Sequence, residues 1–169
     1  MSKCGRRALS SARGQKGTTL VELLVVLAIL SILAVTALPF AEHALQRQKE
    51  ADLRQSLREV RTAIDAFHAD WKDGLIGADN DGASENGYPV DFDVLVDGVK
   101  DTSPEGALLR YLRRVPDNPF AKGGDIADQW LLLGYADKPD AQEWNGEDLY
   151  DLRAITDRVA LDGTRINEW

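Results

Sequence analysis

The strongest pattern in the chain is a change of hydrophobic period near residue 40. Residues 18–40, TTLVELLVVLAILSILAVTALPF, hold one charged side chain, Glu22. Helical residues rise ~1.5 Å each, so about 20 of them cover the ~30 Å hydrocarbon core of a bilayer. Beyond residue 40 the apolar positions thin into a stripe of Leu53, Leu57, Val60, Ile64, Phe67 and Trp71, alternately four and three apart. That spacing predicts a helix with one apolar face over 41–72. The stripe is short and ends in aromatics, so it is expected to pack on its own domain rather than form a coiled coil. Residues 18–72 then read as one long helix, with Pro39 inside it removing a backbone hydrogen bond or marking a break at the membrane edge.

The remainder is read in shorter pieces. Residues 71–89, WKDGLIGADNDGASENGYP, are rich in Gly, Asp and Asn and predict the helix stop and a loop. VDFDVLV and GALLRYLRRVPDNPF, within 90–120, predict short helical turns. QWLLLGYAD (129–137) and DLYDLRAI (148–155) predict strands around a turn-rich connection, with a DG turn near the C-terminus. The class is α+β: a long N-terminal helix, transmembrane in its first half and amphipathic in its second, packed on a small C-terminal antiparallel sheet of about three strands.

Charge sharpens the division. Residues 1–17 carry five basic side chains and no acid, so of the net −8 the remaining 18–169 carry −13. So acidic a body excludes nucleic acid as a partner, since phosphate neutralisation needs clustered Lys and Arg. Basic residues before the apolar run and acids after it place the N-terminus in the cytoplasm and the body across the membrane. The single cysteine, Cys4, precedes the run, so the body forms no internal disulfide.

Three fates of the apolar run compete. A secretory signal peptide would be cut near Val35-Thr36-Ala37. A permanent anchor would keep the whole N-terminus. A cut after Gly17 would keep the helix and make Thr18 its first residue. Glu22 discriminates among them, because a carboxylate in the bilayer is costly unless paired or lifted to the interface. After a cut at Gly17 it is the fifth residue of the mature chain, within reach of the Thr18 ammonium of its own or a neighbouring helix. That arrangement implies an assembly of many helices.

The segment KG/TTLVELLVVLAILSILAVTALP resembles the N-terminal methylation motif of type IV pilins and type II secretion pseudopilins. Gly17, Glu22 and Pro39 fall on that family's positions, while Thr18 stands where the family usually has Phe. Tyr88-Pro89 and Leu112 to Phe120, LRRVPDNPF, resemble the major, G-type pseudopilin. The resemblance implies a basic leader, 1–17, cleaved by a prepilin peptidase that also methylates Thr18. It implies a transmembrane and filament-core helix, 18–40, and a periplasmic pilin-like domain, 41–169. The implied partners are further copies of this chain in a helical homopolymer, other pseudopilins, the prepilin peptidase and the inner-membrane assembly platform. Assembly would rest on Glu22 and Pro39. Major pseudopilins typically bind Ca²⁺ in the acidic C-terminal region, which puts Asp148, Asp151 and Asp157 forward as candidate ligands; as hard oxygen donors they suit that ion, and a solvated acidic turn is the plainer reading. An EF-hand pattern fails at 79–90, where Ser84 and Val90 occupy its sixth and twelfth positions.

His43 and His68 are solitary and read as surface or packing residues. Arg110, Arg113 and Arg114 form a local basic patch, expected to make salt bridges within or between subunits. No HExxH, GxSxG, Walker A, Rossmann or CxxC pattern occurs. The function that the resemblance implies is structural: a subunit of a secretion pseudopilus in the inner membrane. A minor pilin of a type IV pilus, and an anchored periplasmic enzyme or binding module, are the alternatives.

Overall fold

A computed structural model describes residues 19–169, without the side chains of 36–39 and 127. The longest element is α1, Leu20–Lys72, 53 residues. It contributes to two units that divide between Ala41 and Glu42. In the first unit α1 is apolar around its whole circumference, and Leu20, Val21, Leu23 to Leu27, Ile29, Leu30, Ile32 and Val35 are all exposed.

The second unit, Glu42–Trp169, is built on the apolar stripe. Leu53, Leu57, Val60, Ile64 and Phe67 are each at most 2 % exposed, with Trp71 packed at the edge of the same cluster. Burying a large aliphatic or aromatic side chain contributes about 1.5–3 kcal/mol, so this stripe is what holds the domain on its helix. The helix ends in a turn where Leu75 N donates to Asp70 O. The following loop doubles back at Gly87, whose positive φ places it against the Trp71 ring, where a Cβ would collide.

Two antiparallel ribbons complete the domain. A short helix, α2 (Phe92–Asp97), is capped by Asp91, which accepts from Val94 N. It leads into β1 (Val99–Lys100), paired with β2 (Leu108–Leu109). The second ribbon pairs β3 (Trp130–Leu133) with β4 (Asp151–Ala154), in the register Leu131 with Arg153 and Leu133 with Asp151. Trp130, Leu133, Leu152 and Ala154 are buried.

The α+β class and the long helix agree with the sequence reading. The strand arrangement differs in detail. The predicted three-stranded sheet is two two-stranded ribbons. The strand expected over 129–137 stops at Leu133, because Asp137 accepts from Gly134 N and folds the chain into a turn. VDFDVLV does contain a helix. GALLRYLRRV does not: Tyr111 N and Leu112 N both donate to Leu95 O, which ties the segment after β2 to α2 through a bend rather than a helical turn.

Candidate functional site

Each of the two units carries a candidate site of its own. In the first, Thr19 caps α1. Its Oγ1 accepts from Glu22 N at 3.2 Å and its carbonyl from Leu23 N at 3.1 Å. Thr19-Leu20-Val21-Glu22 is thus a T-x-x-E helix start with the glutamate at the third helical position. A carboxylate in the first turn also meets the positive end of the helix dipole. Both are local reasons for a glutamate at position 22. Farther along, Ser31 satisfies its hydroxyl on Leu27 O at 2.7 Å. The apolar run is long and apolar enough to cross a membrane, and among the described residues none of it is buried. Gly17 and Thr18 lie outside the described residues. Pro39 lies within α1, which continues to Lys72 rather than breaking at the proline.

In the second unit the candidate cation ligands go to separate partners. Asp148 is 1 % exposed. It accepts from Tyr135 N at 2.7 Å, Ser84 Oγ at 3.1 Å and Asn86 Nδ2 at 3.3 Å. Its own carbonyl accepts from Trp144 Nε1 at 2.7 Å, and the next amide, Leu149 N, donates to Pro89 O. One buried carboxylate therefore ties the loop after the helix, the end of β3 and the approach to β4 together. Three donors on one carboxylate satisfy its charge without a metal.

Asp151 pairs instead with Arg61 on α1, Nε to Oδ1 at 2.7 Å and Nη2 to Oδ2 at 3.4 Å. The same guanidinium reaches Leu152 O and Trp169 O, so it joins the helix to β4 and to the C-terminal turn. Asp157 is exposed. Among the described residues no three His, Cys, Asp or Glu side chains gather into a metal-holding group. A cation shared by Asp148, Asp151 and Asp157 would have to draw Asp151 from Arg61 and Asp148 from its three donors. The arrangement does not fit one.

An aromatic cluster lies over the Asp148 node. His68 stacks on Tyr88 at 4.1 Å, and its Nδ1 is 2.9 Å from Gly87 O. Tyr88, Tyr135 and Tyr150 have ring centroids 5.1–5.5 Å apart. Burial, then the neighbouring tyrosines, pushes the Tyr88 hydroxyl pKa up. His68 is thus a packing residue, as expected from its isolation. The basic patch is less connected than expected. Arg110 donates to Asp97 O, while Arg113 and Arg114 are exposed and form no ion pair among the described residues.

Two residues with defined roles escaped the sequence reading. Glu50 is 6 % exposed, and its Oε1 accepts from Gln46 Nε2 at 3.0 Å and Leu161 N at 2.8 Å. The signal was present, because the four-and-three spacing continued back from Leu53 lands on Glu50 and then Gln46. Ser84 and Asn86 had no comparable signal, since their partner is more than 60 positions away.

Residues 12–38 match the prokaryotic N-terminal methylation motif. That motif is the signal of type IV pilin-like prepilins, and with the helix-and-sheet architecture it supports the pilin and pseudopilin superfamily. Such a signal implies processing by a prepilin peptidase and assembly with other pilin-like subunits. Comparison with curated proteins and with solved structures gives no match.

Proposed function

We propose that this chain is a structural subunit of a type II secretion pseudopilus. The reading is carried by the methylation motif over 12–38, with Glu22 as its one carboxylate. The leader 1–17 stays in the cytoplasm and is removed after Gly17. Thr18 becomes a methylated ammonium, and residues 18–40 hold the subunit in the inner membrane with its domain in the periplasm. In the filament the apolar helices pack together, and Glu22 faces the Thr18 ammonium of a neighbour. The carboxylate is then paired at the one place in the apolar helix where a charge is tolerable. The subunit acts by position and polymerisation, not by catalysis.

Three features favour secretion over a pilus. The domain is acidic, it lacks the cysteine pair that staples common type IV pilins, and Tyr88-Pro89 and LRRVPDNPF resemble the major pseudopilin. A deletion strain assayed for exoprotein export and for surface pili tests the choice. Lost export with pili intact is expected. Lost pili with export intact would overturn the secretion reading in favour of the pilus.

A further inference from the structure

Two Asn-Gly pairs occur in the chain, Asn86-Gly87 and Asn145-Gly146. The dipeptide is chemically labile. Glycine has no Cβ to hinder its amide, so the deprotonated amide nitrogen can attack the preceding asparagine side chain at Cγ. A new N–Cγ bond forms, the Cγ–Nδ2 bond breaks, ammonia leaves and a cyclic imide results. Water then opens the imide at either carbonyl, giving aspartate or isoaspartate. The balance is one water in and one ammonia out, with no change of oxidation state. A folded chain permits the reaction only where the glycine amide is free to attack and the side-chain amide is free to leave.

The two pairs differ on both counts. Gly87 is buried, its N donates to Ser84 O at 2.9 Å, and its O lies 2.9 Å from His68 Nδ1. Asn86 N donates to Ser84 Oγ and Asn86 Nδ2 to Asp148 Oδ2, both at 3.3 Å. Attacking and leaving nitrogens are therefore both engaged, and the Trp71 ring lies against the glycine. Asn145 and Gly146, by contrast, are both exposed. Among the described residues Gly146 N has no hydrogen-bond partner and Asn145 Nδ2 donates to nothing. Nothing stands within 4 Å of the place a Cβ would take at Gly146. Asn145 Oδ1 accepts from Glu147 N at 2.9 Å. Attack on Cγ develops negative charge on that oxygen, so the Glu147 amide is already aimed at the atom that needs it.

We infer that Asn145 is a site of intramolecular deamidation in the folded chain, and that Asn86, with the same dipeptide, is protected. The product alters a loop that matters to the domain. Asn145 N donates to Asp137 Oδ2 at 3.3 Å, and the same carboxylate oxygen accepts from Gly134 N. Isoaspartate adds a methylene to the backbone just after that amide. Either product adds a negative charge to a loop that already carries Asp137 and Glu147. The change falls one residue after Trp144, whose Nε1 donates to Asp148 O. Ageing of the chain thus acts beside the carboxylate that ties the loops of this unit together.

The test incubates the full chain in detergent at mildly alkaline pH and samples it over days, folded and in concentrated urea. Trypsin separates the two pairs: the peptide 123–153 holds Asn145 as its one asparagine, and 73–100 holds Asn86 with Asn80. Peptide mass follows the conversion of amide to carboxylate, and fragmentation places it on Asn80 or Asn86. In the folded chain Asn145 should convert at least about tenfold faster than Asn86, the ratio that one buried hydrogen bond of ordinary strength supports. In urea the two should convert at similar rates, because the protection of Asn86 is structural. Isoaspartate-specific methyl transfer to 123–153 should rise with the mass change. Equal rates in the folded chain, a faster Asn86, or an Asn145 that converts only in urea would each overturn the inference.

Discussion

Replacing Asp148 by Ala removes the acceptor at the centre of the domain. Tyr135 N, at 2.7 Å, loses its partner in a site 1 % exposed. A buried amide left without an acceptor costs about 1–3 kcal/mol. Ser84 is half-buried and Asn86 exposed, so both can turn to water, and each adds roughly 0.5–1 kcal/mol. The total is about 2–5 kcal/mol. A unit of this size loses about 3 °C of melting temperature per kcal/mol, so a fall of roughly 6–15 °C is expected. Asp148→Asn keeps the shape and one acceptor oxygen and should lose about half of that. All four tryptophans, Trp71, Trp130, Trp144 and Trp169, lie in this unit, so tryptophan fluorescence of the full chain in detergent follows its unfolding. An Ala variant melting within about 2 °C of the parent would refute the organising role of Asp148. The same melts separate donors from a cation. If hydrogen bonds satisfy the carboxylate, chelation leaves the parent unchanged. A chelator that lowers the parent's melting temperature but not that of Asp148→Ala would show that a metal sits there.

Three further outcomes follow from other parts of the chain. Glu22→Ala should leave leader cleavage intact and abolish filament assembly, measured by shearing and by crosslinking; normal filaments would remove the proposed ammonium pairing. Gly87→Ala must adopt a positive φ and displace the Trp71 ring, and should cost roughly 2–4 kcal/mol in the same melts; an unchanged midpoint would mean the loop relaxes freely. Tyr111 donates to Asp70 Oδ2 at 2.7 Å; burial, then that hydrogen bond and the Asp70 charge, holds its pKa well above the ordinary 10.0. A raised folded pKa stabilises below the unfolded value and is lost above it. Stability should therefore fall as pH rises past about 10, and Tyr111→Phe should cost about 1–2 kcal/mol at neutral pH while flattening part of the alkaline loss. Tyr88, raised in the same direction, accounts for the loss that remains.

The parts of this fold legible in sequence are those set by local period. The single helix from Leu20 to Lys72 follows from an apolar run joined to a four-and-three stripe. Every stripe residue from Leu53 to Phe67 is buried where the spacing placed it. The strands were legible in place but not in extent. WLLL pairs with DLRA, yet Asp137 cuts the first strand short through a side-chain bond that alternation does not encode. The acidic C-terminal segment was harder. Asp148 and Asp151 have the same chemistry in sequence, and what separates them is the distant partner each finds: Ser84 and Asn86 for one, Arg61 for the other. Long-range pairing of that kind leaves no periodic trace. Glu50 is the instructive case, because a polar residue on an apolar stripe does leave one, and it marks a buried acceptor that holds a loop.

The measurement closest to the proposed function is the intact mass and N-terminal sequence of the chain extracted from membranes, with and without the prepilin peptidase. A mature chain beginning at methylated Thr18 only when the peptidase is present is the expected result. A chain beginning near Leu38, or one left uncut in the presence of the peptidase, would contradict it and return the acidic domain to consideration as a secreted or anchored binding module or enzyme.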